Sequence, residues 1–153
     1  MATAVTYNYR SNYFGTGVPA HRIADYTIKR TINVADACTA LGISAFTATD
    51  IVKVVDIPDN TLVIGVLVTV ITACTTASTQ TIDVGDVTAA DGWHNDLTIK
   101  TTGKTWALAY SADSSPVGKR YVHATDPYIT VTFNGAAADG VFSLTVLCVD
   151  LNQ

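Results

Sequence analysis

Hydrophobic and polar positions alternate with a period of two along much of the chain, and one stretch departs from this by being apolar in both phases. Over residues 62–71, Thr69 is the only polar side chain and Gly65 the only residue lacking an apolar one. Val and Ile in such a run favour the pleated conformation. Pro58, Asp59, Asn60 and Thr61 just before it supply a fixed φ and two turn-formers. The pattern predicts the central strand of a packed sheet. A membrane-spanning helix needs roughly 20 apolar residues, about twice this run, so no membrane partner is expected.

The flanking segments read as half-buried strands. Over residues 26–34, Tyr26, Ile28, Ile32 and Val34 share one phase with Arg30, and Thr27, Lys29, Thr31 and Asn33 share the other. Residues 35–50 are Ala-rich, carry Gly42 and Phe46, and leave room for one short helical turn. Residues 51–57 form the next expected strand, with Lys53 and Asp56 on opposite faces. After the central run, the small polar segment 74–79 leads into 80–84, where Ile82 and Val84 face inward; the spacing predicts a hairpin. Residues 85–96 read as a loop. Short strands over 97–100 and 105–110 are expected to be joined by a hairpin-like turn at 101–104, with Gly103 late in it, and a further short strand is expected over 119–123. The last two strands alternate clearly: Ile129, Val131 and Phe133, then Phe142, Leu144, Val146 and Cys148, with turn signals at Asn134-Gly135 and Asp139-Gly140 between them.

Eight or nine strands at spacings of about 8–12 residues, with no long amphipathic helix, predict an all-β fold: an antiparallel, jelly-roll-like β-sandwich. It is expected to occupy residues 25–153. Residues 1–24 have no usable period and read as an N-terminal arm. There Tyr7, Tyr9, Arg10, Tyr13 and Phe14 lie among small and polar residues, and aromatic side chains of this kind bury much area at low entropic cost, as docking segments do. Folding of the segment over its own barrel is an equal alternative.

Charge narrows the function. Only 14% of residues are charged and the net charge is −4, which argues against a partner that must be held through its phosphates, so no nucleic acid is expected. A low charge content also fits a surface partly covered by other subunits. No basic segment followed by an apolar one opens the chain, so synthesis and assembly in a cytoplasm are expected. Cys38, Cys74 and Cys148 lack zinc-type spacing and read as small buried apolar residues.

Candidate chemistry is sparse. Asp83, Asp86, Asp91 and Asp96 fall within 14 residues, but their spacing does not match a calcium loop, and turn-forming Asp is the stronger reading. Glu is absent. His21, His94 and His123 have no placed nucleophile beside them, and no phosphate loop or metal motif appears. The chain reads as a non-enzyme without a cofactor or metal. Trp93 and Trp106 could stack on a sugar, although burial at the ends of the barrel is the stronger reading.

Three stretches carry a resemblance when taken together. They are residues 50–61 leading into the long apolar run, Ile82-Asp83-Val84-Gly85-Asp86 followed by Asp91-Gly92-Trp93, and Leu144 through Leu151. In this order they resemble a group of small tailed-bacteriophage virion structural proteins, over roughly residues 50–151. The resemblance implies a jelly-roll-like protein on the capsid surface of the virion that cements or decorates the shell. The leading reading is such a protein, with the major capsid protein and further copies of itself, as a homotrimer, for partners. It supplies no catalytic residues, and neither the arm nor the three cysteines match it. A carbohydrate-binding or host-attachment module is the second reading, and a tail or head-tail connector subunit the third.

Overall fold

The computed structural model describes residues 24–76, 80–108, 119–121 and 127–151. The arm residues Tyr7, Tyr9, Arg10, Tyr13 and Phe14 lie outside them. In chain order the described elements are β1 (Ala24–Asn33), α1 (Val34–Leu41), β2 (Ile51–Asp56), β3 (Thr61–Thr72), β4 (Thr81–Gly85), β5 (His94–Thr98), β6 (Gly103–Ala107), β7 (Lys119–Tyr121), β8 (Tyr128–Phe133) and β9 (Val141–Asp150). They make two antiparallel sheets. The five-stranded sheet runs β1-β9-β3-β6 with β7 also on β3, and the four-stranded sheet runs β2-β8-β4-β5. The fold is the all-β sandwich that the alternation predicts.

The core lies between the sheets and is filled by one phase of each strand. β3 contributes Val63, Val66, Val68 and Val70, and β9 contributes Phe142, Leu144, Val146 and Cys148. They meet Ile129, Val131 and Phe133 of β8 with Ile82 and Val84 of β4, all buried. As expected from its run of apolar residues, β3 is interior to its sheet: β9 pairs along one edge, while β7 and then β6 pair along the other. Its outer phase is less covered, since Leu62, Ile64 and Leu67 are only half-buried. A register shift between Val63 and Gly65 lets Val63 and Val66 both face inward although they are three residues apart.

The structure corrects three local expectations. The segment after β3 is not a hairpin, because β3 and β4 belong to different sheets and the chain crosses from one to the other. The same holds for β5 and β6, expected to pair through residues 101–104. In both cases a segment of several residues can span the roughly 10 Å between facing sheets, and the strands pair with more distant partners. Third, Lys53 and Asp56 do not lie on opposite faces: a shift between Lys53 and Val55 puts the buried Val55 inside and leaves both charged residues exposed.

The crossings are held by polar contacts at the ends of the sandwich. At one end the Asn33 side chain caps α1 by accepting from the amides of Ala35 and Asp36 at 3.2 and 3.4 Å. Gly42 stops the helix with φ +69. Beyond it, Phe46 stacks on Phe133 with ring centroids 4.4 Å apart. Asp139, in the β8–β9 connection, accepts from the amides and hydroxyls of both Thr75 and Thr76. Those hydroxyls, more than any other cause, hold its carboxyl well below the usual carboxylate range. Elsewhere Gly85 permits the chain to fold back so closely that an added Cβ would lie 1.9 Å from the Ala89 carbonyl oxygen.

Two predictions follow from the core. Val66→Asp places an unpaired carboxylate on the fully buried phase of β3, where the cost is several kcal/mol, and should abolish soluble folding; circular dichroism and a thermal melt near the parent's would disprove the assignment. His94 is buried at the start of β5, and its Nε2 lies 3.1 Å from the Val66 carbonyl oxygen. Burial pushes its pKa below 6.5. The unfolded chain therefore takes up the proton first, and this contribution to stability is full above pH 6.5 and lost as the pH falls from there through the folded value. Denaturant midpoints between pH 7.5 and 5.5 should fall with pH, and His94→Gln, which keeps an N–H donor, should flatten that slope.

Candidate interaction surfaces

The residues that sequence reading singled out for chemistry are dispersed. Asp83, on the outer face of β4, accepts from the Asp96 amide at 2.7 Å and from Asn134 Nδ2 at 2.9 Å. Asp96, with φ +50, accepts from the same Asn134 amide and from the Thr81 hydroxyl. Asp91 accepts from Asn95. Asp86 points the other way and is almost fully enclosed: it takes Lys119 Nζ and Tyr121 Oη, each at 2.7 Å, with the amides of Thr88 and Ala89. Among the described residues no group of three or more His, Cys, Asp or Glu side chains is placed to hold a metal ion. A buried carboxylate in that many bonds is a structural tie. It fixes β7 to the β4–β5 connection.

His21 and His123 lie outside the described residues. His94 is inside the sandwich with the Val66 carbonyl as its partner, a position that serves packing. The three cysteines are free thiols and buried, as the sequence predicts. Burial pushes the Cys148 thiol up to about 12, which removes it as a nucleophile at neutral pH.

The two tryptophans part company. Trp93 is enclosed, 4% exposed, so it presents no face to a sugar. Its amide donates to the Val84 carbonyl at 2.8 Å. Trp106 is 50% exposed on the outer face of β6, where it pairs with Leu67 of β3. Around it the outer face of the five-stranded sheet is apolar: Leu62 lies opposite Val149, Gly65 opposite Leu147, and Leu108, 60% exposed, sits over Gly65. An added Cβ at Gly65 would come within 2.8 Å of Leu108 Cδ2. Sequence reading missed this band because its outward residues were counted as part of a doubly buried strand. The signal was present in the absence of any charged residue from 62 to 71.

The outer face of the four-stranded sheet differs in kind. Ile51, 62% exposed, Thr132 and Asp83 form one row across β2, β8 and β4. Lys53 sits over the Tyr128 ring at 4.9 Å from its centroid, with Asp56 opposite Tyr128. What the described residues offer outward is thus two contrasting sheet faces, one crossed by an apolar band and one polar and acidic. Neither holds a constellation of acid, base and nucleophile among the described residues.

No protein-family model matches the chain, and no curated protein matches it. Solved structures do. The chain is similar to a chain of the cyanophage Pam1 capsid asymmetric unit, with a TM-score of 0.63 at 15% identity over 94% of this chain and 96% of that one. It is similar to a chain in the capsid of Ralstonia phage GP4, with a TM-score of 0.58 at 18% identity over 92% and 93%. A chain in the acid-stable capsid of Helicobacter pylori bacteriophage KHP30 gives a TM-score of 0.51 at 16% identity over 82% and 86%. At these identities the likeness is one of fold, and it extends over more than four-fifths of each chain.

Proposed function

We propose that this protein is a structural component of a bacteriophage virion that binds the outer surface of the capsid shell and stabilises it. The observation that carries this reading is the fold match over 94% of this chain and 96% of a chain from a phage capsid. Two further chains from phage capsids match in the same way. The dispersal of Asp83, Asp86, Asp91, Asp96 and His94 into structural bonds supports a role in adhesion over one in catalysis.

The mechanism is linkage. A protein that binds the assembled shell and not its separated subunits lowers the free energy of the shell alone, and so opposes its disassembly. The major capsid protein is the partner in this reading. The N-terminal arm supplies the anchor: Tyr7, Tyr9, Tyr13 and Phe14 offer large apolar area, the tyrosines with polar tips, and Arg10 a forked donor for a carboxylate on the shell. A few such residues carry most of the binding energy in a typical interface.

Removing residues 1–20 leaves every described strand intact, since β1 begins at Ala24, and the remaining chain should fold. Binding to shells assembled without this protein should weaken by several orders of magnitude, because buried aromatic anchors contribute about 2 kcal/mol or more each. Co-sedimentation reads this directly, and equal occupancy by the two chains would refute the anchoring role. The isolated protein should show no turnover of glycoside, ester or peptide substrates. Activity that disappeared with Asp91→Ala or His94→Gln would overturn the non-enzymatic reading.

A further inference from the structure

The apolar band on the five-stranded sheet has no counterpart in what the arm is proposed to do. It runs across three strands. Leu67 lies at its centre, between Thr145 of β9 and Trp106 of β6. Ile64, Leu108 and Leu147 extend it toward one end. A contiguous patch containing a half-exposed Trp and a Leu 60% exposed costs solvation free energy in a lone molecule, and such patches mark interaction sites. Two lysines flank its centre: Lys29 lies opposite Thr145 on the β1 side and Lys104 opposite Thr69 on the β6 side, both exposed.

The opposite side of the same molecule is built to complement it. There the exposed Ile51, on the edge strand β2, supplies an apolar contact, and Asp56, Asp83 and Asp96 outnumber Lys53. A lysine-flanked apolar strip and an acid-flanked face with an apolar side chain match in charge, whereas two lysine-flanked strips do not.

We propose that the apolar band of one copy docks on the outer face of the four-stranded sheet of a second copy, head to tail, with Trp106 at the centre of the contact and Lys29 and Lys104 facing the other copy's Asp56, Asp83 and Asp96. Burial of Trp106, Leu67 and Leu108 drives the association, as aromatic and aliphatic anchors do at the centre of interfaces. The lysines fix its direction. Pairing band to band about a twofold axis would bring like charges together. A head-to-tail contact uses a different surface on each copy, so it repeats, giving a ring where the rotation between copies closes and an open filament where it does not.

Sedimentation of the full chain over a wide concentration range tests this without any shell. The parent should self-associate, and the association should weaken by about tenfold or more in Trp106→Ser, with the thermal midpoint near the parent's because Trp106 lies outside the core. Lys29→Gln with Lys104→Gln should also weaken association several-fold and remove most of its dependence on salt. Stronger association in that double variant is the result expected of band-to-band pairing and would overturn the head-to-tail contact. A parent that stays monomeric at every concentration would overturn the proposal. If that monomer also lost shell binding through Trp106→Ser, the band would belong to the shell, and the shell-binding reading would survive the failure of this one. Unchanged association in Trp106→Ser would place the interface elsewhere on the molecule.

Discussion

The constraint on which the structure rests is the burial of one phase of β3 and β9 against one phase of β8 and β4. Among the described strands, six of the eight connections between consecutive ones pass from one sheet to the other, so neither sheet is a contiguous piece of sequence and neither could close without its partner. Hydrogen bonding within a sheet sets register, but the choice of which strands share a sheet is made by the layer between them. Val63, Val66, Val68 and Val70 meeting Ile129, Val131 and Phe133 is that layer. His94 apart, which reaches the Val66 carbonyl from inside the sandwich, the polar ties lie around it, at the ends and on the outside.

The polar ties show how so many crossings are held in place. Asp139 gathers the start of the β3–β4 crossing with four donors from Thr75 and Thr76. Asp86 joins the β4–β5 connection to β7 through Lys119 and Tyr121. Asn134 ties Asp83 to Asp96 on the outside of β4 and β5. In each case one side chain from a connection satisfies several donors or acceptors of another segment. The Asp residues that look like candidate metal ligands in sequence are spent on these contacts, and their variety of partners follows from the topology rather than from any shared site.

The strands themselves were legible because a side-chain period of two survives any arrangement of pairing. Tyr26, Ile28 and Ile32, like Ile129, Val131 and Phe133, declare a buried phase whatever strand lies beside them. Partnership was not legible, since the two supposed hairpins, after β3 and after β5, differ from real ones only in where the next strand goes. Register shifts were hidden for a related reason: the apolar run in β3 conceals the slip at Gly65, and in β2 a strict alternation assigns Lys53 and Asp56 to different faces. Of the candidate surfaces, the composition pointed to aromatic residues but could not separate the enclosed Trp93 from the exposed Trp106. Each follows a local pattern that fits either place.

The position of β9 has a consequence for synthesis. It lies between β1 and β3 and pairs with both along nearly their whole lengths, yet the ribosome makes it after all the other described strands. Until residues 141–150 emerge, β1 and β3 have no common neighbour and each keeps an unpaired edge, a state prone to pairing with other chains. The sandwich can therefore be completed only once that last strand is inserted between the first and the third. Folding dominated by such distant pairings is slow. The growing polypeptide thus depends on whatever shields its edges in the interval, while a finished molecule has the middle of its larger sheet closed by the strand that arrived last.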